Sequence, residues 1–314
     1  MNSVSSSIAP TTHGADNVDD AGNNAGKLTT RRGPSLIQRS FGPAGHIWVH
    51  IVLCMYAVIA LFPIALILIN SVKSRQAIFD NPLAFPTVET FSLIGFHKVL
   101  SNTNFLLYFG NSLIVTLGSL LLIVLFGAMA GWALSEYKFR GNRLMTLFMA
   151  IGIMIPIRLG TVSILQLVVA LDLINTRTAL ILVYTAQGLP LAVMILSEFI
   201  RQIPTELKDA ARCDGVGEFK IFFQVILPLI RPAIATVAVF TMIPAWNDLW
   251  FPLILAPGDQ TKTVTLGVQQ FIGQYATDWN SVLAALSMAV IPILILYTLF
   301  SRQLIRGLTA GAVK

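Results

Sequence analysis

Long apolar runs separated by shorter polar segments dominate the chain. An apolar stretch of about 20 residues crosses the hydrocarbon core of a bilayer as a helix, because a helix satisfies its own backbone hydrogen bonds where water is absent. The pattern therefore predicts an all-α membrane protein with about six transmembrane helices. The predicted spans are Trp48 to Val72, Leu106 to Leu134, Leu144 to Leu171, Ala179 to Ile200, Ala233 to Leu255 and Val282 to Ile305.

The composition agrees with a membrane environment. Hydrophobic residues make up 55% of the chain and charged residues 11%, whereas soluble domains are about 25% charged. The net charge of +6 does not indicate a nucleic-acid partner, because the basic residues are scattered between the apolar runs. We divide the chain into a disordered N-terminal tail (1–46), a six-helix transmembrane domain (47–306) and a short C-terminal tail (307–314).

Lysine and arginine positions predict the orientation of the chain. When both termini are placed in the cytoplasm, fifteen of the 21 basic residues lie on the cytoplasmic side and five lie outside. Cytoplasmic loops carry the excess of Lys and Arg in membrane proteins. The sequence therefore predicts a multi-pass protein of a bacterial inner membrane with both termini in the cytoplasm.

The cytoplasmic connection 201–232 is typical of two short helices around a glycine corner. Thr205 is expected to cap the first helix, and Glu206 lies in the first turn, where the helix dipole favours an acidic side chain. Asp214 and Gly215 end that helix, since glycine adopts a left-handed conformation without steric cost. The residues alone leave two interpretations open, a surface loop or a helix that docks into another protein. An apolar stripe is predicted on the second helix, from Phe219, Phe222, Phe223 and Ile226.

This loop resembles the loop of binding-protein-dependent ABC importer permeases. That loop reads EAA, three residues, G, and LP further on, and Asp209-Ala210-Ala211, Gly215 and Leu227-Pro228 occupy those places, with Asp209 replacing the usual Glu. Three further stretches are similar to the carbohydrate-uptake branch of maltose-type permease subunits. They are NSLIVT at 111–116, AWNDLWFPLIL at 245–255 and RGLTAGAVK at 306–314.

The resemblance implies a type I ABC importer permease whose 203–232 loop contains a cytoplasmic coupling helix. It implies a second permease subunit, two ATPase subunits, an extracellular or periplasmic sugar-binding protein and surrounding membrane lipid as partners. ATP and Mg are expected at the ATPase subunits and no cofactor on this chain, because residues 21–30 do not match a phosphate loop. The implied ATPase-coupling residues are Glu206, Asp209, Ala210, Ala211, Asp214, Gly215 and Pro228.

Polar residues inside the predicted spans are candidates for a sugar pathway. A charged residue in a span costs a few kcal/mol on insertion scales, so it normally faces a cavity or a partner. Arg158 could donate to sugar hydroxyls, or it could snorkel towards the interface or pair with a carboxylate of the partner permease. Asn247 and Asp248 could bind the hydroxyl groups of a sugar, or they could pack against neighbouring helices. Tryptophan could stack on a sugar ring or anchor the membrane interface, and asparagine could bond across helices. The candidates are Arg158, Asn247, Asp248, Trp246, Trp250 and Asn111.

One alternative is a secondary transporter or channel that works without nucleotide. That class would show ionisable coupling residues in several spans or inverted repeats, but only Arg158 and Asp248 qualify and no repeat is evident. An enzyme is not expected, because no nucleophile and base are paired in the sequence. His46 and His50 have helical spacing but no third ligand nearby, so no metal site is predicted. The identity of the sugar stays open.

Overall fold

The computed structural model describes residues 43–272 and 277–312, and this part of the chain is helical apart from loops and two isolated β-bridges. The predicted all-α fold is confirmed. The helices are α1 (Pro43–Ser71), α2 (Arg75–Asp80), α3 (Ile94–Asn102), α4 (Phe105–Glu136), α5 (Asn142–Met154), α6 (Thr161–Ala170), α7 (Arg177–Arg201), α8 (Thr205–Cys213), α9 (Glu218–Leu229), α10 (Arg231–Asn247), α11 (Trp250–Leu255), α12 (Val264–Val268) and α13 (Trp279–Ala312).

Three helices within the described residues are long and apolar enough to cross a membrane: Ile47–Ser71 of α1, α4 and α7. Two bent pairs raise that number to five if each pair forms one span. One pair is α5 with the segment Ile157–Ala170, bent by 87°, and the other is α9 with α10, bent by 74°. The apolar part of α13, Trp279–Ile295, is shorter. The count of six spans stays a prediction.

The third and fifth predicted spans are not single straight helices. Leu144 to Leu171 is interrupted after Met154, where Ile155 is extended and precedes Pro156. Proline disfavours the helical conformation of the residue before it, which explains the break. Ala233 to Leu255 is interrupted between α10 and α11, where Asp248 is extended. These two breaks place polar backbone and polar side chains within apolar segments.

The centre of the fold is the contact between α4 and α7, which depends on two glycines of α4. A Cβ atom at Gly127 would lie 2.8 Å from the Cβ of Ala192, and one at Gly131 would lie 3.1 Å from the backbone N of Ser197. Small residues four positions apart allow two membrane helices to approach closely. The helix pair therefore forms a rigid core against which α10 packs.

A second contact joins α3 to α13. A Cβ atom at Gly95 would lie 2.3 Å from the backbone O of Asn280, so only glycine fits there. The Asn280 amide donates to the Lys73 carbonyl at 2.8 Å. The Lys73 side chain is itself buried, and its ammonium donates to Asn70 Oδ1 and the Asn81 carbonyl. Burial lowers the pKa of Lys73 from its ordinary value.

The chain divides into two units, residues up to Ile59 and residues from Ala60 onward, and α1 contains the boundary. Helix α1 begins at Pro43, inside the segment assigned from sequence to the N-terminal tail. Helix α13 continues to Ala312, past the predicted start of the C-terminal tail at 307. The remainder of the N-terminal tail lies outside the described residues.

Candidate functional site

Helix α8 is a short, exposed helix closed by a glycine corner. Gly215 has φ +73°, the Val216 N–H donates to the Ala211 carbonyl at 3.0 Å, and the Gly215 N–H donates to the Arg212 carbonyl at 3.0 Å. This is the glycine C-cap geometry that the sequence predicts. Thr205 is not a cap, because Pro204 takes that position and no side chain caps the helix. Proline fixes its own φ, which suits the entry to a helix.

The residues of the EAA-like motif divide by burial. Glu206, Asp209, Ala210, Asp214 and Gly215 are exposed. Ala211 is partly buried and packs on the core cluster that contains Ile200 and Ile221. Pro228 is partly buried within α9. The face of α8 that the resemblance assigns to a partner protein therefore does not pack on this chain's own core. Ala211, on the other side of α8, holds the helix against that core.

The apolar stripe predicted on α9 is correct for two of its four residues. Phe222 and Ile226 are buried, whereas Phe219 and Phe223 are exposed. Residues Phe222–Ile226 form a π-helical turn, in which the hydrogen bonds connect residues five apart. This wider turn changes which side chains share a face, so the ordinary helical spacing does not apply.

An ionic cluster joins α8 to the end of α4. Glu136, the last residue of α4, accepts from the Lys208 ammonium with one oxygen and from the Arg212 guanidinium at 2.8 Å with the other. The Lys208 side chain is 5% exposed and that of Glu136 is 12% exposed. We call Glu136, Lys208, Arg212 and Glu218 the loop cluster. It fixes α8 to the end of α4 through one largely buried ion pair, Lys208–Glu136, and through partly exposed contacts of Arg212 and Glu218.

Arg212 lies at the centre of the loop cluster. Its Nε donates to Glu218 Oε1 at 2.9 Å, and another guanidinium N–H donates to Asp209 Oδ1 at 3.0 Å. Hydrogen bonds to Glu218 and Glu136 raise the pKa of Arg212, against the opposing effect of burial. The Tyr137 hydroxyl donates to Glu218 Oε2 at 2.8 Å, and burial followed by this hydrogen bond raises the pKa of Tyr137. Arg212 is consequently always charged in the cluster.

A second polar cluster lies at the breaks in the membrane helices. Arg158, in the 3₁₀ turn between α5 and α6, places a guanidinium nitrogen 3.4 Å from Asp248 Oδ1. The Asp248 side chain is 8% exposed, whereas that of Arg158 is 67% exposed. Asp248 Oδ2 accepts from the Tyr184 hydroxyl at 2.9 Å and from the Phe251 N–H at 3.1 Å. The carboxylate is thus saturated, while most of the guanidinium remains open.

Trp250 belongs to the same cluster. Its ring is 44% exposed, and its indole N–H donates to the Thr161 hydroxyl at 3.1 Å. The Thr265 hydroxyl donates to the Asp248 carbonyl at 2.7 Å and ties the cluster to α12. We call Arg158, Thr161, Tyr184, Asp248 and Trp250 the intramembrane cluster. It presents an aromatic face beside hydrogen-bond donors, which is the pairing that a sugar ring requires.

The other three pathway candidates lie elsewhere. Trp246 is buried, and its indole N–H donates to the Ala289 carbonyl at 3.2 Å, so it packs the core instead of lining a surface. Asn111 is fully buried, and its amide donates to the backbone carbonyls of Gln260 and Lys262. Asn247 is exposed, but its amide donates to the backbone of its own helix.

The sequence analysis did not identify several residues of these clusters. Glu136 and Lys208 lie 72 positions apart, and Tyr184 and Asp248 lie 64 apart, so no local spacing relates them. Gln187 did carry a signal, since it is a polar residue near the middle of an apolar run. It is exposed on α7 and lines a cavity of about 130 Å³ together with Tyr184 and Thr241.

Comparisons with known proteins agree with the resemblance seen in the loop. Residues 123–309 match the family described as binding-protein-dependent transport system inner membrane component. The diacetylchitobiose uptake system permease protein NgcG of Streptomyces coelicolor is 32% identical over 84% of this chain and 88% of its own length. The arabinooligosaccharides transport system permease protein AraQ of Halalkalibacterium halodurans is 33% identical over 82% of this chain and 92% of its own.

A solved structure shares the fold. It is the crystal structure of a bacterial ABC transporter involved in the import of the acidic polysaccharide alginate, with a TM-score of 0.71 and 20% identity. The match covers 83% of this chain and 98% of that one. The family match and the identity to permeases favour the transport subunit over a secondary transporter or channel. The chain belongs to the family of binding-protein-dependent transport system inner membrane components and is a permease subunit of that kind.

Proposed function

We propose that this chain is one permease half of an ATP-driven importer for short oligosaccharides. An extracellular or periplasmic binding protein delivers the sugar, a second permease subunit completes the pathway, and two ATPase subunits bind from the cytoplasm. The relatives support the sugar class, since their names include diacetylchitobiose, arabinooligosaccharides and starch degradation products. The distribution of basic residues supports an orientation with both termini in the cytoplasm, and the apolar runs support six spans.

The observation that carries this proposal is the geometry of α8. The helix exposes Asp209, Ala210 and Gly215 on a short arm whose base is bound to α4 through Lys208 and Glu136. Small side chains allow the groove of another protein to approach closely. Because Lys208 and Glu136 bind α8 to α4, a displacement of α8 also displaces α4. In an importer of this class the ATPase subunit binds this face. ATP and Mg are used by that subunit, and this chain performs no covalent chemistry.

The intramembrane cluster supplies the sugar contacts of this half. A guanidinium that is 67% exposed within a membrane protein cannot face hydrocarbon without a large cost. Arg158 therefore faces the pathway between the two permease subunits, where its free N–H groups donate to sugar hydroxyls. Trp250 supplies the stacking face, and Gln187 extends the polar surface along α7. Asp248 orients Arg158 and does not itself reach the sugar.

The proposal is tested by purifying the detergent-solubilised complex through a tag on this chain and identifying its partners by mass spectrometry. ATP hydrolysis is measured with Mg²⁺, with and without binding protein loaded in turn with diacetylchitobiose, arabinooligosaccharides and maltodextrins. We expect a co-purifying ATPase that a loaded binding protein stimulates. A chain that purifies without an ATPase would overturn the proposal.

The docking face is tested separately with Ala210→Trp. Ala210 is exposed on α8, so the bulky ring leaves this chain's core intact but blocks a groove. We expect normal membrane insertion and loss of ATPase co-purification. Ala84→Trp is the matched control, because Ala84 is equally exposed but lies in the loop after α2. Equal ATPase recovery in the two variants would refute the docking assignment.

A further inference from the structure

Helix α4 is bound to a loop at each of its ends. Near its N-terminus, the Asn111 amide donates to the Gln260 and Lys262 carbonyls at 2.9 Å and 3.0 Å. The Ser112 hydroxyl accepts from the Val264 N–H at 2.8 Å. At its C-terminus, Glu136 accepts from two cations of α8. A single helix thus contacts the loops on opposite sides of the membrane.

Apart from the partly exposed Arg212, the residues that make these end contacts are buried or nearly so, unlike most ion pairs at a protein surface. Asn111 is fully buried, Ser112 is 2% exposed and Lys208 is 4% exposed. A buried polar group that loses its partner is left without water to replace it, so such contacts resist opening. By comparison, the Glu198–Arg201 pair on α7 is about half exposed on both sides. The contacts of α4 therefore hold both loops firmly.

Helix α4 itself is continuous between its two ends. It spans 32 residues with no internal proline, and the distance from Asn111 to Glu136 is about 37 Å at the usual helical rise. Its middle packs closely on α7 at Gly127 and Gly131. The α5–α6 and α10–α11 segments are instead interrupted. Helix α4 can consequently transfer a displacement from one side of the membrane to the other without bending.

The loop at the far end leads to the intramembrane cluster. Asn111 and Ser112 hold residues 260–264, and Thr265 follows directly, with its hydroxyl bonded to the Asp248 carbonyl. A continuous series of contacts therefore runs from α8 through Glu136 and α4 to Asp248. Hydrogen bonds and ion pairs make the connections at the two ends of α4 and at Thr265, and the backbone of α4 and of residues 260–265 joins them.

We propose that α4 is the mechanical link by which movement of α8 reaches the 260–265 segment and the sugar-binding cluster, and that Glu136 is the positioning residue that makes this link. The inference rests on the proposed function, since it requires an ATPase to move α8. Glu136 touches neither the sugar nor the nucleotide. It acts by making α8 and α4 move as one body.

The test uses the whole complex in proteoliposomes and compares wild type with Glu136→Gln. The readout is the ratio of ATP hydrolysis with loaded binding protein to hydrolysis without it, alongside the recovery of the ATPase subunits. We expect the subunits to be retained and the stimulation ratio to fall by about fivefold or more, the lower end of ordinary coupling between sites. Glu198→Gln makes the same chemical change in the exposed pair on α7 and should leave the ratio unchanged.

A second variant tests the other end of α4. Ser112→Ala removes the acceptor of the Val264 N–H and should also lower the stimulation ratio. Because the two ends of α4 act in series, the loss of stimulation in the double variant should be smaller than the product of the two single losses. Single losses that multiply in full, or a normal ratio in both single variants, would overturn the inference. If Glu136→Gln does not assemble, the stimulation ratio of Ser112→Ala alone tests the inference. A wild-type complex whose ATP hydrolysis is not stimulated by loaded binding protein would refute the proposed function instead.

Discussion

Replacing Asp248 with alanine removes the acceptor of the Arg158 guanidinium, the Tyr184 hydroxyl and the backbone N–H groups of Trp250 and Phe251. Asp248 accepts from the Phe251 N–H at 3.1 Å in the first turn of α11, and loss of such a hydrogen bond costs about 1 kcal/mol. The Tyr184 hydroxyl is buried, and a buried donor left without a partner costs about 1–3 kcal/mol. Arg158 adds little, because its side chain is largely exposed and the contact is 3.4 Å long. We expect Asp248→Ala to destabilise the protein by about 2–4 kcal/mol.

Thermal unfolding of the purified protein in detergent measures this cost. For a chain of this size, each kcal/mol lowers the melting temperature by about 2–4 °C. Asp259→Ala is the matched control, since Asp259 is exposed and, within the described part of the chain, forms an ion pair with Lys262 three positions away, and pairs at the surface contribute about 0–1 kcal/mol. A melting temperature for Asp248→Ala equal to that of the control would refute the reasoning.

A double-mutant cycle with Tyr184→Phe isolates the largest part of the cost. Phenylalanine fills the same space and lacks the hydroxyl that needs an acceptor. In that background, Asp248→Ala should cost about 1–3 kcal/mol less than in the wild-type background. Equal costs in both backgrounds would mean that the hydrogen bond between Tyr184 and Asp248 does not stabilise the fold. Sugar transport, measured on the same variants, reports whether the orientation of Arg158 also depends on Asp248.

Two further predictions concern glycines. Gly215→Ala should destabilise α8 by about 1–2 kcal/mol and reduce ATPase recovery, because Gly215 has φ +73°. Gly217→Ala, with φ −68° and equal space around it, should change neither. Gly95→Ala should lower the melting temperature strongly, because its Cβ would lie 2.3 Å from the backbone O of Asn280. Gly110→Ala, in α4, should be neutral or stabilising by about 0.5–1 kcal/mol, because an added Cβ atom there meets no other atom within 4 Å. Equal melting temperatures for Gly95→Ala and Gly110→Ala would contradict the packing argument.

Local rules explain what the sequence analysis predicted correctly. Apolar runs predict helices because the bilayer provides no partner for the backbone, and α1, α4 and α7 match three runs within a few residues. The glycine corner at Gly215 was predictable because glycine adopts a left-handed conformation at little steric cost. The break before α6 also has a local signal, Pro156, which disfavours the helical conformation of Ile155.

The pairing of polar groups required the tertiary structure. Arg158 and Asp248 were recognised separately as charged residues in apolar runs, but they lie 90 positions apart, and the packing of α6 on α11 brings them together. Trp246 and Trp250 look equivalent in sequence, yet a break of the helix between them buries the first and exposes the second.

The sequence by itself therefore determined that this is a membrane protein, that it is helical and that the 201–232 loop turns at Gly215, because each depends on residues close together in the chain. The tertiary structure alone decided which polar side chains meet, because helix crossing brings together residues 60 to 90 positions apart. Glu136 shows the difference clearly. Its charge is evident at the end of an apolar run, but its role as the anchor of α8 follows only from the contacts with Lys208 and Arg212.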